Sequence, residues 1–314
     1  MCVKKSKRGF AMGIVEKSFN NGEVIVKEGE NGTSFFRLIE GSANVFADYG
    51  KKDQFRLAVL NAGEFFGEMA IIEEYPRSAT IVANSRVTVM EIPGDELTSF
   101  FTENPDMLID LIKHLGARVQ SMSNDYEDAK NLLDNLRESD AGKKKSLFSK
   151  IKKHMNIYQL NKDSANLEPG TAKLIDAFEK ITDEASGNIW PYENGSVIYS
   201  EGEYGEGLYI LRNGKVGIYK NYGTADQVKL EDLSAISVFG EMGIVSEETR
   251  TATAVAEDNE TYIEIIYQKD LEAIINLCPV KVEAILRHLS YRLRKINIDF
   301  IRTCKEITET YEQK

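Results

Sequence analysis

The chain repeats itself at a fixed offset of 173 residues. Residues 22–80 overlay residues 195–253 without a gap, and after one inserted residue Pro105 pairs with Pro279. Identical pairs include Gly29 with Gly202, Gly32 with Gly205, Leu38 with Leu211, Gly41 with Gly214 and His114 with His288. A self-match of this length predicts a duplicated domain, so one fold must account for both halves of the 314 residues.

The first part of each repeat has the pattern of β-strands. Short apolar runs such as residues 35–38 and 43–46, and their counterparts 208–211 and 216–219, are separated by Gly, Asn and Glu turn residues. Many short strands with Gly-rich turns predict an antiparallel barrel or jelly roll, so the expected class is mainly β with flanking α.

The second part of each repeat changes period. Apolar residues recur at alternating steps of four and three, which predicts a long helix with one apolar seam. The seams are Leu115, Val119, Met122, Tyr126, Ala129, Leu133 and Leu136, and then Leu289, Leu293, Ile296, Phe300, Thr303 and Ile307. A narrow seam suits a partner helix, so the long helices pair within one chain or between two chains. Of the two arrangements we predict the homodimer.

The sequence between the repeats is polar and basic, with Lys143–Lys145 followed by Lys150, Lys152 and Lys153. It predicts a linker over residues 138–166, which joins a domain of residues 14–137 to a second of residues 167–314. In the alternative interpretation Leu147, Phe148 and Ile151 form the apolar side of a segment that docks on an acidic partner or a lipid surface. Residues 171–181 are expected to be helical.

Composition excludes several classes of protein. The formal net charge of -11 argues against a protein that mainly grips nucleic acid. The sequence has no long apolar stretch that predicts a membrane span and no recognisable signal peptide. Three scattered cysteines suit the reducing cytoplasm, and the spread of His114, His154 and His288 predicts no metal site and no hydrolytic triad. We therefore expect a cytoplasmic protein that is not an enzyme.

The most specific repeated phrase runs from Phe66 to Thr80 and returns from Phe239 to Thr253. Each copy has a Gly-Glu pair with an Arg ten residues after the Gly. The Gly lets a ligand approach the main chain, and the Arg offers a planar cation that matches two phosphate oxygens. The Glu has the wrong charge for phosphate but can accept hydrogen bonds from a sugar hydroxyl. The pattern predicts a nucleotide whose phosphate lies close to its ribose.

Phe-Gly-Glu-x-Ala followed by Pro-Arg-x-Ala-Thr resembles the phosphate-binding cassette of cyclic-nucleotide-binding domains. That family includes the regulatory subunits of cyclic-AMP-dependent kinase, cyclic-nucleotide-gated channels and the catabolite activator protein. The resemblance covers both repeats and implies two tandem eight-stranded jelly rolls, or double-stranded β-helices, each ending in a long helix. It also implies a bound cyclic nucleotide, cAMP or cGMP, without a metal.

Carried over to this sequence, the resemblance assigns Glu68 and Glu241 to the ribose 2′-hydroxyl, and Arg77 and Arg250 to the cyclic phosphate. The remaining cassette residues would contribute backbone N–H groups: Gly67, Ala70, Ser78, Gly240, Gly243 and Thr251. The hydroxyls of Ser78 and Thr251 could reach a guanine edge. Tyr126 and Phe300 occupy matching places on the long helices and are either base caps or core residues.

The second cassette departs from the family pattern. Thr249 replaces the Pro and Gly243 replaces the Ala, so this loop is expected to be less preset than the first. The favoured function is a cyclic-nucleotide sensor or regulatory subunit that signals to an unknown downstream protein. The alternatives are a dimeric scaffold with vestigial cassettes and a catabolite-activator-type regulator that lacks its DNA-binding module.

Overall fold

The computed structural model describes residues 14–51, 54–68, 76–138, 141–160, 188–205, 207–235, 237–241, 243 and 249–312. The chain divides into two compact units. The first comprises residues 1–100, 118–170 and 290–314, and the second comprises residues 101–117 and 171–289. The predicted domain boundaries at residues 137 and 166 remain predictions, and the helix expected over residues 171–181 lies outside the described residues.

The described part of the first repeat contains eight strands in two antiparallel four-stranded sheets. The strands are β1 Val15–Phe19, β2 Val24–Val26, β3 Ser34–Glu40, β4 Ser42–Ala47, β5 Phe55–Asn61, β6 Phe65–Phe66, β7 Thr80–Ala83 and β8 Val87–Pro93. Their orders in the two sheets are β1-β8-β3-β6 and β2-β7-β4-β5. Apolar side chains that include Phe36, Leu38, Phe66, Ile81 and Val89 form the core of this barrel.

The second repeat builds the same pair of sheets, with the orders β9-β16-β11-β14 and β10-β15-β12-β13. Its strands are β9 Ile189–Tyr192, β10 Val197–Tyr199, β11 Gly207–Asn213, β12 Lys215–Lys220, β13 Val228–Ser234, β14 Ser237–Phe239, β15 Thr253–Ala256 and β16 Thr261–Tyr267. Two eight-stranded antiparallel units confirm the prediction of tandem jelly rolls.

Each jelly roll is followed by a single 3₁₀ turn, a short helix and a helix of 34 residues. After the first barrel these are the turn Gly94–Glu96, α1 Leu97–Glu103 and α2 Pro105–Glu138. Helix α3, Ala141–Leu160, precedes the second barrel, which is followed by the turn Gln268–Asp270, α4 Leu271–Leu277 and α5 Pro279–Glu312. The two long helices predicted from the four-three periodicity are confirmed.

A three-helix core in the first unit joins the end of α2, helix α3 and the end of α5. Its buried residues are Ala129, Leu132, Leu133, Leu136, Ile151, Phe300, Cys304 and Ile307. Burial raises the pKa of the Cys304 thiol to about 12. The seams of the two long helices therefore contact each other within one chain, and the predicted homodimer remains a prediction.

Helix α3 forms part of this core although its sequence has the composition of a linker. Ile151 is fully buried, and Leu147 packs against the same cluster. Phe148 is about half exposed, and its ring lies 6.4 Å from that of Tyr311 near the end of α5. The apolar side chains that the alternative interpretation assigned to an external partner or membrane thus contact other helices of the chain itself.

A buried ion triad distinguishes the second barrel. Lys281 Nζ, in the first turn of α5, lies 2.6 Å from Glu264 Oε1 on β16. Arg212 Nη2, on β11, lies 2.7 Å from Glu264 Oε2. The side chains of Lys281 and Glu264 are 2% and 4% exposed, so the triad fixes the start of α5 to this sheet with charges largely removed from water.

Candidate functional site

The repeated Gly-Glu pair lies directly after a short strand in both barrels. Gly67 follows β6 and Gly240 follows β14, and both have positive φ, 75° and 68°. A Cβ atom at Gly67 would lie 2.5 Å from Arg77 Nη1, so both the backbone conformation and the close approach of the Arg require glycine here. The following residues, Glu68 and Glu241, are 1% and 2% exposed.

Arg77 is held in the first barrel by four backbone groups. Its amide donates to Glu30 O over 2.9 Å and its carbonyl accepts from the Gly29 amide, also over 2.9 Å. Its guanidinium donates from Nη1 to Gly67 O and from Nη2 to Ser34 O. Burial lowers the pKa of Arg77, and the charge of Glu68 opposes this shift. The result is a fixed, largely buried cation beside a buried carboxylate.

Arg250 has the equivalent backbone supports in the second barrel. Its amide donates to Glu203 O over 2.7 Å, and its carbonyl accepts from the Gly202 amide over 2.9 Å. The guanidinium donates from Nη1 to Gly240 O and from Nη2 to Gly207 O, the latter over 2.9 Å. Because each partner lies 173 positions after its counterpart in the first barrel, the duplication has kept the cradle as well as the Arg.

The close approach of each Arg to the backbone depends on a second conserved glycine of the overlay. A Cβ atom at Gly32 would lie 2.1 Å from Arg77 Cζ, and one at Gly205 would lie 2.4 Å from Arg250 Cζ. The Thr that ends each motif stabilises the local structure by a hydrogen bond. Thr80 Oγ1 accepts a hydrogen bond from the Glu28 amide, and Thr253 Oγ1 accepts one from the Glu201 amide. The glycine-rich turn is thereby tied to the strand that follows the Arg.

Glu68 makes an ion pair with the long helix. Its Oε1 lies 2.5 Å from Nη1 of Arg118, which is on α2, while the Arg118 side chain remains 44% exposed. The carboxylate is thus buried at one end of a charge-assisted bond whose other end reaches the surface of a helix.

The model of the cyclic nucleotide-binding domain family matches residues 16–104 and 189–277, one match in each repeat. The chain belongs to this family. Both matches include the Gly-Glu pair and the Arg whose geometry is described above. The prediction of two tandem cyclic-nucleotide-binding domains, made from the two cassettes, is confirmed.

Similar proteins include kinases and their regulatory subunits. A cGMP-dependent protein kinase of Plasmodium berghei (strain Anka) is 26% identical over 240 residues, which are 76% of this chain and 21% of the kinase. A cAMP-dependent protein kinase regulatory subunit of Blastocladiella emersonii is 22% identical over 245 residues, which are 78% of this chain and 48% of that subunit. The chain therefore spans less than half of either relative.

One solved structure that aligns with this chain is "cAMP bound PfPKA-R (141-441)". The alignment covers 85% of this chain and 74% of that chain, with 19% identity and a TM-score of 0.35.

The other predicted cassette residues lie around the two arginines. Ser78 and Thr251, each directly after the Arg, are exposed, and the Thr251 carbonyl accepts from Lys220 Nζ over 3.0 Å. Gly243 is buried, and its amide donates to Gly240 O over 3.1 Å. Ala70, its counterpart in the first cassette, lies outside the described residues.

The two predicted base caps lie in the three-helix core. Phe300 is 7% exposed and belongs to the buried cluster, where its ring lies 6.0 Å from that of His154. Tyr126 packs against this cluster, and burial raises the pKa of Tyr126. Packing between helices accounts for both residues in this arrangement, and their role as base caps remains a prediction.

Two features of the site were not predicted from the sequence. The first is the ion pair between Arg118 and Glu68, residues that are fifty positions apart. The second is the aromatic support of Arg250, whose Cζ lies 4.5 Å from the ring centroid of Tyr199 and 5.3 Å from that of Tyr209. The sequence did contain a signal for the second feature. The overlay places Val26 and Phe36 opposite Tyr199 and Tyr209, so the second repeat has two aromatic residues where the first has one.

Two further observations concern the described residues only. They contain no group of three or more His, Cys, Asp or Glu side chains placed to hold a metal ion. None of the helices within them combines the length and the apolar character that crossing a bilayer needs.

Proposed function

We propose that this chain is a cytoplasmic cyclic-nucleotide sensor or regulatory subunit, and that one or both cassettes bind the ligand. Arg77 and Arg250 hold the cyclic phosphate in this proposal. Both guanidinium groups are nearly buried and are oriented by backbone carbonyls, so little side-chain freedom remains to be lost when a phosphate arrives. A bidentate guanidinium is also the side chain best matched to a phosphate.

Glu68 and Glu241 bind the ribose 2′-hydroxyl, as acceptors that are already removed from water. Backbone N–H groups complete each cradle, at Gly67, Ala70 and Ser78 in the first and at Gly240, Gly243 and Thr251 in the second. The ligand is cAMP or cGMP. The exposed hydroxyls of Ser78 and Thr251 are the side chains with which a guanine edge would be read.

The observation that carries the sensor function is the ion pair between Glu68 and Arg118. Glu68 belongs to the ligand cassette, and Arg118 belongs to the long helix α2. A ribose hydroxyl that hydrogen bonds to Glu68 changes the environment of the carboxylate to which α2 is attached. The ligand therefore binds one arrangement of α2 better than another, which is the condition for a population shift.

In this proposal the chain has a regulatory role and no catalytic activity of its own. The position of its long helices is the signal that reports ligand binding. A downstream protein reads that position, as the name of the regulatory-subunit relative suggests. A homodimer through the long helices remains part of the proposal. Light scattering at tens of micromolar tests it, and a strictly monomeric mass contradicts it.

Calorimetry of the intact chain with cAMP, cGMP and a cyclic dinucleotide tests the ligand. The proposal expects saturable binding of at least one cyclic mononucleotide. If none of the three ligands binds, the proposal fails and the alternative of a dimeric scaffold with vestigial cassettes is favoured. Hydrogen exchange tests the signal separately. Saturation with the ligand should change amide protection in α2, and binding without any change there would contradict the sensor function while leaving the ligand site intact.

A further inference from the structure

The second cassette has an aromatic floor of two tyrosine rings, Tyr199 and Tyr209, beneath its Arg, whereas the first cassette has one phenylalanine ring there. The rings of Tyr199 and Tyr209 lie 5.3 Å apart, and that of Phe239 stacks on Tyr209 at 5.2 Å. Arg250 Cζ lies over both tyrosines, at 4.5 Å and 5.3 Å from their centroids. Attraction of this kind grows when the cation is removed from water, and Arg250 is 5% exposed.

The matching positions in the first barrel are Val26, Phe36 and Phe66. Phe36 and Phe66 stack at 5.1 Å, much like Tyr209 and Phe239. Arg77 Cζ lies 5.7 Å from the Phe36 ring, which is a more distant contact than either tyrosine makes with Arg250. The first cassette thus has one ring without a hydroxyl where the second has two rings that each carry one.

The Tyr209 hydroxyl lies beside the donors that would grip a phosphate. Arg250 Nη2 is 3.5 Å from Tyr209 Oη, a long contact in which the hydroxyl oxygen is the acceptor. The hydroxyl proton then points away from the guanidinium, because a guanidinium cannot accept a hydrogen bond, and it can be donated to an anion bound there. Burial raises the pKa of Tyr209, and the charge of Arg250 partly opposes the shift, so the proton is present at neutral pH.

We propose that Tyr209 is a ligand-binding residue of the second cassette, whose hydroxyl donates a hydrogen bond to the phosphate that Arg250 holds. Tyr199 is a positioning residue in this scheme, because its ring fixes the plane of the guanidinium. The inference rests on the proposed function, in which the second cassette takes a cyclic nucleotide. If the inference holds, the second cassette has one more hydrogen-bond donor for the two exocyclic oxygens of the phosphate than the first cassette has.

The test uses the full chain with Arg77→Ala, which removes the phosphate-binding Arg of the first cassette, so that the measured binding comes from the second cassette. Calorimetry compares cAMP and cGMP with their Sp and Rp phosphorothioates, in which sulfur replaces one or the other exocyclic oxygen. Tyr209→Phe keeps the ring and removes the donor. It should weaken binding of the natural nucleotide by roughly three- to tenfold, the order of one neutral hydrogen bond. It should also change the ratio of Sp to Rp affinity by about threefold or more, because a hydroxyl donates less well to sulfur than to oxygen.

The ratio is the deciding readout. An unchanged ratio in Tyr209→Phe overturns the proposal, whether or not the affinity falls, because a purely structural role would not distinguish the two oxygens. If the Arg77→Ala parent binds none of these nucleotides, the proposed function of the second cassette fails first, and this inference fails with it.

Two further variants keep the test independent of the folding of Tyr209→Phe. Phe36→Tyr, in a chain with Arg250→Ala, adds the hydroxyl at the matching place of the first cassette and should shift its Sp to Rp ratio towards that of the second. An unchanged ratio there counts against the proposal. For Tyr199, the Phe variant should retain the affinity, and the Val variant, which imports the residue of the first barrel, should lose it. Equal affinities would remove Tyr199 from the scheme.

Discussion

The two cassettes have the same backbone cradle and different side-chain supports. In both, the Arg donates to the carbonyl of the Gly before the buried Glu and to a carbonyl at the start of the barrel's third strand. In the first, Arg77 lies over one aromatic ring, that of Phe36. In the second, Arg250 lies over two tyrosine rings.

The difference shows which parts of the duplicated fold are constrained. Backbone groups fix where the Arg lies, and they depend on glycines that both repeats keep. The side chains that contact the face of the Arg were free to diverge, since Val26 and Phe36 of the first repeat correspond to Tyr199 and Tyr209 of the second. The Arg of the second cassette therefore has more aromatic contact than the Arg of the first, within the same backbone cradle.

The same contrast extends to the sheet that fixes the last helix. The overlay places Ile39, Met90 and Met107 opposite Arg212, Glu264 and Lys281, so the first repeat has apolar residues where the second has the ion triad. The strand register agrees, because Arg37 pairs with Met90 as Ile210 pairs with Glu264. The second barrel thus holds the start of α5 by buried charge, which is sensitive to the loss of any single member.

Removal of the central carboxylate should have the largest effect. Glu264→Met leaves Lys281 and Arg212 as buried cations without their shared partner, and it should lower the free energy of unfolding of the second barrel by about 3–5 kcal/mol. Urea unfolding followed by the fluorescence of Trp190, the single Trp of the chain, reports on this barrel because Trp190 lies on β9.

The control is the triple variant Arg212→Ile, Glu264→Met and Lys281→Met, which imports the residues of the first repeat. It should recover most of the lost stability, since buried ion clusters replaced as a whole by apolar residues are often neutral. A triple variant as unstable as Glu264→Met would show that size and packing, and not charge, are what the triad supplies.

Loss of the helix contact should affect only the first cassette. Arg118→Ala leaves the buried carboxylate of Glu68 without its cation and should weaken ligand binding there by about tenfold, on the order of 1–2 kcal/mol. The measurement is calorimetry in a chain with Arg250→Ala. Arg137→Ala on the same helix removes an exposed ion pair with Glu306 and serves as the control, with an expected change below about twofold. Equal effects of the two variants would contradict the assigned role of Arg118.

The smallest effect is expected from exchanging the residue at which the two cassettes differ. A Cβ atom at Gly243 would lie 2.5 Å from Arg250 Nη1, so Gly243→Ala must displace the guanidinium slightly from its place over the tyrosines. Loss of part of that contact should weaken nucleotide binding at the second cassette by about two- to fivefold. The reciprocal Ala70→Gly should leave the second cassette unchanged. Tighter binding by Gly243→Ala would show that the aromatic floor does not favour the bound state.

Local pattern predicted much of the fold. Alternation and turn residues indicated the strands, the four-three steps indicated α2 and α5, and the repeated phrase indicated that Glu68 and Arg77 lie together. These features depend on residues close in sequence or repeated at one offset. Contacts between distant elements were not predictable in this way. Arg118 reaches Glu68 only because of how α2 leaves the barrel, and Ile151 is buried only because the end of α5 is present beside α3.

The most direct test of the account is the stoichiometry of nucleotide binding in arginine variants of the full chain. Calorimetry with the tightest-binding cyclic mononucleotide should give one bound ligand for each cassette that binds in the parent. Arg77→Ala and Arg250→Ala should each lose the ligand of their own cassette, and the double variant should bind none. Removal of a charge-assisted bidentate pair should cost about 1.5–3 kcal/mol, or about ten- to a hundredfold in affinity, at each site. The Lys variants retain a charge but not the fork, so they should be weakened less. A double Ala variant that still binds like the parent would contradict the claim that these cassettes hold a phosphate.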